Sequence, residues 1–116
     1  MDIKTSTRQI GDVAIVDASG ELRLGESTHV LRQTVADLIQ RGFKKILLNL
    51  RHVRHIDSAG IGELMSCYTS VRNRGGELKL LNLSKNVHSL LQITKLDTVF
   101  QVEEDEPTAV ASFHKP

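Results

Sequence analysis

The sequence has no tryptophan, one tyrosine, one cysteine and two prolines among its 116 residues. With so few aromatic rings there is no set of flat faces on which unpaired bases could stack, which argues against a single-stranded nucleic-acid platform. The lone cysteine, Cys67, cannot form a disulfide within the chain, and this fits a reducing compartment. No apolar run approaches the roughly 20 residues that a membrane-crossing helix requires. The first residues lack the basic-then-apolar pattern of a secretory signal. A soluble, cytoplasmic protein is therefore expected. Neither charge sign dominates: 15 Lys and Arg stand against 14 Asp and Glu, a net charge of +1. That balance supplies no broad cationic field for direct nucleic-acid binding.

What is present is an ordinary globular composition, 40% hydrophobic and 25% charged. The length suits one domain over residues 1–116, with enough chain to bury a core. No linker, repeat or low-complexity segment divides it.

The most informative stretch is His55-Ile56-Asp57-Ser58-Ala59-Gly60-Ile61-Gly62-Glu63-Leu64. Before it, Ile46 to Leu50 is apolar on nearly successive residues, the pattern of a central strand covered on both faces. After it, Ile61, Leu64, Met65, Tyr68 and Val71 recur with helical spacing. Asp57 and Ser58 therefore stand where a helix begins. Each is a good N-cap, since a short side-chain oxygen accepts a free backbone N–H. Such an end also carries partial positive charge and tolerates an anion. On residues alone, plain capping and an acceptor hydroxyl at a helix start both remain open for Ser58.

The rest of the chain reads in order. Ile3, Thr5 and Thr7 mark a partly exposed strand, and Gly11-Asp12 a turn. Val13 to Ala18 forms a second strand, paired as an antiparallel hairpin. Ser19 to Glu26 reads as a loop, followed by a helix capped near Ser27 with Val30, Leu31, Val35, Leu38 and Ile39 as its buried stripe. Arg51 to His55 reads as a basic loop. Gly75-Gly76 breaks the chain before a strand carrying Leu78, Leu80, Leu81 and Leu83. Ser84 caps a helix with Val87, Leu90, Leu91 and Thr94 on one face. Val99 to Val102 reads as a short strand, and Pro107 opens a last helix with Val110 and Phe113. The expectation is an α/β fold. Its single mixed sheet opens with an antiparallel hairpin, continues with alternating strands and helices, and carries the helices packed on it.

Catalytic templates fit poorly. A nucleophile elbow needs glycine two residues before the serine, where Ile56 stands. A dinucleotide fingerprint needs glycine at the position of Met65. His52 and His55 are joined by no converging Cys, Asp or Glu, so no metal and no cofactor is expected. A small serine hydrolase stays open only as a triad assembled in space from the five histidines.

Taken together, the strand order, the Gly20-Glu21-Leu22 turn, the Ile56-Asp57-Ser58-x-Gly60 motif, the Gly75-Gly76 break and the late Val99-Phe100-Gln101-Val102 segment resemble the STAS domain family. The likeness is greatest to its stand-alone bacterial anti-sigma factor antagonists. It implies a non-enzymatic partner switch. The unphosphorylated protein would bind an anti-sigma factor serine kinase and release the sigma factor. Phosphorylation of Ser58 would end that binding, and a PP2C-type phosphatase would restore it. The resemblance implies that Asp57, Gly60, Ile61 and Gly62 shape the acceptor end. Gly20, Glu21, Leu22 and Arg23 would line the same partner surface. It further implies a monomer or weak dimer without membrane contact. Arg23 stands where many relatives carry Asp, a reversal of charge at that surface. A stressosome-like scaffold and a lipid-transport accessory subunit are the other roles implied by the same fold.

Overall fold

The computed structural model describes residues 3–114. Five strands and four α-helices follow one another as β1 (Ile3–Ile10), β2 (Val13–Leu22), α1 (Glu26–Gln40), β3 (Lys45–Ile56), α2 (Ser58–Asn73), β4 (Glu77–Leu83), α3 (Lys85–Ile93), β5 (Val102–Glu103) and α4 (Glu106–Ser112), with a 3-10 turn at Leu96–Thr98. The sheet order is β1-β2-β3-β4-β5. β1 and β2 form the antiparallel hairpin, and β2 through β5 pair in parallel. This is the mixed sheet expected from the sequence.

Alternation along the central strands divides the core. Ala14, Val16, Ile46, Leu48, Leu50, Leu78 and Leu80 point to the face covered by α1, α2 and α3. Val13, Ile15, Leu47 and Leu81 point to the other face, where Ala109 and Phe113 of α4 meet them. β3 is thus buried on both sides, which explains its run of successive apolar residues.

The structure departs from the sequence reading at four places. β3 does not end at Leu50; Arg51 to His55 is its second half rather than a loop. Val53 is buried while Arg51, His52, Arg54 and His55 are exposed. This extension is stabilised by β2, which also runs on, so that Gly20 pairs with Val53, Glu21 with His55 and Leu22 with Ile56. α1 begins after Gly25 rather than at a Ser27 cap, because the Ser27 hydroxyl lies inside the helix and bonds back to Arg23. The last strand is only Val102–Glu103; Phe100 is used for packing, edge-on to Tyr68 at a ring separation of 5.3 Å. Thr94 is an exposed C-cap rather than a packing residue.

No helix among the described residues is long and apolar enough to cross a membrane. Leu48 has no exposed surface and sits in the centre of the larger core. Leu48→Ala is expected to lower unfolding stability by about 3 kcal/mol, read as a lower urea midpoint at unchanged slope.

Candidate functional site

The carboxyl ends of parallel strands are where α/β sheets place their functional surfaces, because the connecting loops there stand free of the sheet. Here β2 ends at Leu22 and β3 at Ile56, in register side by side. Asp57 leaves β3 with its N–H donating to the Leu22 carbonyl at 3.3 Å. Its side chain is the N-cap of α2: Oδ1 accepts from the Gly60 N–H at 2.9 Å. Its other oxygen accepts from the Leu24 N–H at 3.0 Å. One carboxylate thereby ties the β2–α1 loop to the first turn of α2. These N–H donors, Leu24 first and then Gly60, hold the Asp57 carboxyl below the usual range, with Arg23 adding a smaller electrostatic contribution.

Ser58 is the first helical residue and is exposed. The capping question left open by the sequence is settled in favour of Asp57, which leaves the Ser58 side chain facing solvent at the helix start. Gly60 is fixed by close approach. A Cβ there would lie 2.3 Å from the Leu22 carbonyl oxygen and 2.7 Å from Ile56 Cγ1. Gly62 meets no such limit, since a Cβ there would find nothing within 4 Å.

The β2–α1 loop is held from its other side as well. The Ser27 hydroxyl donates to the Arg23 carbonyl at 2.7 Å and accepts the Arg23 N–H at 2.8 Å. Clamped at both ends, the loop presents Leu24 to solvent, 81% exposed. Gly20 has φ 115°, a conformation suited to glycine where β2 bulges against β3. The Glu21 carboxylate lies half-buried, 3.6 Å from the Arg23 guanidinium and 4.0 Å from His55 Nε2.

The residues singled out in the sequence therefore converge on one end of the molecule, in two layers. Arg23, Ser58 and Gly62 are exposed, while Leu22, Gly60 and Ile61 are buried and shape the surface from beneath. No group of His, Cys, Asp and Glu among the described residues could hold a metal ion.

The STAS domain profile matches residues 4–109. This chain belongs to the STAS domain family. It is 30% identical to the anti-sigma-B factor antagonist of Bacillus subtilis over 88% of this chain and 92% of that one. A Thermotoga maritima protein, solved as a candidate anti-sigma factor antagonist, superimposes with a TM-score of 0.87 at 26% identity, covering 96% of this chain and 95% of that one. The phosphorylated form of the Bacillus cell-fate determinant SpoIIAA shares the fold, with a TM-score of 0.71 at 18% identity over 94% and 99% of the two chains.

One buried residue on this STAS domain's α2 went unread in the sequence. Glu63 is 4% exposed, and its Oε1 accepts from Arg32 Nη2 of α1 at 2.6 Å. The Cys67 thiol lies 3.5 Å from the other oxygen. Burial, reinforced by the Glu63 charge, pushes that thiol up to about 12, so it stays protonated and unreactive. The signal was available: Gly60, Glu63, Cys67 and Val71 follow helical spacing, with a carboxylate in an otherwise apolar stripe.

Two outcomes test this geometry. Gly60→Ala is expected to destabilise by about 2 kcal/mol or more through overpacking against Leu22, whereas Gly62→Ala is expected to stabilise by ~0.5–1 kcal/mol as a helix substitution. Urea unfolding of the pair reads both. Asp57→Ala is expected to cost about 1 kcal/mol at neutral pH through loss of the cap. Because the folded-state carboxyl is depressed, its contribution is fully present above the ordinary Asp value of about 4 and is lost as pH falls through the lower folded value. The gap between wild type and Asp57→Ala should therefore narrow in acid, measured by urea titrations across that window.

Proposed function

We propose that this protein is an anti-sigma factor antagonist worked by partner switching. In its unphosphorylated form it binds an anti-sigma factor that is also a serine kinase, and so frees the sigma factor. The observation that carries this reading is the exposed Ser58 hydroxyl on the first turn of α2, beside a loop that the Asp57 carboxylate fastens to the same turn. The names of the relatives support it, as does the existence of a phosphorylated form in one structural neighbour.

In the switching step, Ser58 Oγ attacks the γ-phosphorus of the kinase's ATP. The bond to the β-phosphate oxygen breaks, ADP leaves, and the hydroxyl proton passes to a base on the kinase. A PP2C-type phosphatase hydrolyses the ester, returning serine and inorganic phosphate. This chain supplies only the acceptor and the surface around it, a regulatory binding role rather than an enzymatic one, and the setting we assign is the cytoplasm.

A phosphoryl group adds about −1.5 to −2 charges at neutral pH. At ~6 Å from a partner carboxylate, with an effective dielectric near 20, each unit pair costs roughly 3 kcal/mol. That is about a hundredfold in affinity. The modification is thus large enough to separate a complex without unfolding either protein. Ser58→Ala is expected to retain the anti-sigma factor and take up no phosphate, and Ser58→Asp to bind about tenfold or more weakly. Titration calorimetry and intact mass after incubation with the kinase and ATP read the two effects. Equal affinity of both variants would end the charge-switch reading.

A further inference from the structure

Between α1 and α2 runs a cleft of about 570 Å³, a size that holds small molecules. None of its lining belongs to the β2–α1 loop, the first turn of α2 or α3. Val35 and Cys67, 2% and 3% exposed, lie at its base. Ala36 on α1 and Ser66 and Ser70 on α2 are small and exposed, so the helices stay parted above that base.

The cleft also holds the buried Glu63 carboxylate, whose two oxygens are unequally served. Oε1 accepts from both Nε and Nη2 of Arg32, at 3.1 and 2.6 Å. Oε2 has the Cys67 thiol, at 3.5 Å, as its one partner among the described residues. A thiol is a weak donor, and an ionised carboxylate accepts about four hydrogen bonds. A buried charge is costly until its remaining positions are filled. Arg32 is open in the opposite sense. Its side chain is 60% exposed, and Nη1 has no partner among the described residues. The cleft therefore offers one unfilled acceptor beside one unfilled cationic donor.

These charges narrow the ligand. The ionisable side chains in the lining are Arg32, Arg74, Glu63 and Cys67, and the Cys67 thiol stays neutral. A simple cation there meets two guanidiniums, and a simple anion meets the buried carboxylate. A molecule with an ammonium and a carboxylate on one carbon meets both signs correctly. That is the form of an α-amino acid.

We infer that the α1–α2 cleft is a binding site for a free α-amino acid. The ammonium donates to Glu63 Oε2, and the carboxylate accepts from Arg32 Nη1. The side chain runs along Val35 and Ile39 toward Ser70. The inference is independent of the Ser58 reading, because no lining residue takes part in that switch.

The test is calorimetry of the full chain with each proteinogenic amino acid in turn. At least one is expected to bind. Its Nα-acetyl and α-amide derivatives, which each lose one charge, are expected to bind about tenfold or more weakly. Glu63→Gln is expected to weaken binding by a similar factor. Because that change touches a buried pair, Ala36→Leu serves beside it. Position 36 is exposed, leucine is a good helix former, and its side chain narrows the cleft. This variant should bind no amino acid and keep the circular dichroism of the parent. If no amino acid binds the parent chain, the inference is overturned. It is equally overturned if Nα-acetylation is without effect, or if Ala36→Leu binds as the parent does. Loss of anti-sigma factor binding by Ala36→Leu, with no amino acid bound by the parent, would give the cleft to a protein partner instead. The Ser58 variants are read separately, so neither result decides the other.

Discussion

Everything at the functional end depends on how closely α2 approaches the end of β2. The Leu22 carbonyl accepts the Asp57 N–H, and the Gly60 Cα lies over the same carbonyl with no room for a side chain. That approach requires glycine at position 60. It also requires a cap that can satisfy the first free N–H groups of α2 without standing between helix and sheet. Asp57 meets the second requirement from the strand side. Its carboxylate reaches Gly60 on one hand and Leu24 on the other, so the same group that starts α2 also sets the β2–α1 loop. Ser58 is left with no capping duty and its side chain in water. A serine that had to cap this helix would be a poor acceptor, because its oxygen would already be engaged.

The rest of the molecule holds α2 in that position. Ile61, Leu64, Cys67 and Val71 anchor it to the sheet through the larger core. Glu63 adds a directional contact to α1 through Arg32. A carboxylate in this stripe is a weak device for stability, since its desolvation offsets much of the attraction to arginine. It does tie α2 to α1, with Arg32 reaching the buried carboxylate from a mostly exposed position. With α2 packed in this way, the proposed switch needs only local charge repulsion at Ser58 and no rearrangement of the helix.

Much of this was legible in the residues. The successive apolar run of β3, the helical spacing after Ser58 and the Ser84 cap of α3 each report a strong local preference that the fold keeps. What was hidden depends on partners distant in sequence. Arg51 to His55 carries four exposed polar side chains around one buried valine, so no alternation announces a strand. Its extended conformation comes from pairing with the second half of β2, which in turn reads as a glycine-containing loop. Ser27 looks like a cap because serine before a helix usually is one; here its hydroxyl is taken by Arg23, and the backbone turns at Gly25 instead. β5 is short because Phe100, apolar and strand-forming on its own, is drawn into the core against Tyr68. The candidate site was legible as a motif but not as a surface. Leu24 and Asp57 lie 33 positions apart in the chain, and only the parallel pairing of β2 with β3 brings the ends that carry them together.

The division between buried and exposed site residues has a consequence for how such a switch can diversify. Leu22, Gly60 and Ile61 are constrained by packing, and Asp57 by two backbone donors; a change at any of them disturbs the presentation of Ser58. The side chains of Arg23 and Leu24 face solvent, so their substitution leaves the fold nearly untouched, and a change of charge at position 23 is tolerable for this chain. The first turn of α2 and the β2–α1 loop meet at the Asp57 carboxylate, which caps the one and positions the other, so under the proposed switch a phosphoryl group on Ser58 adds its charge beside that loop.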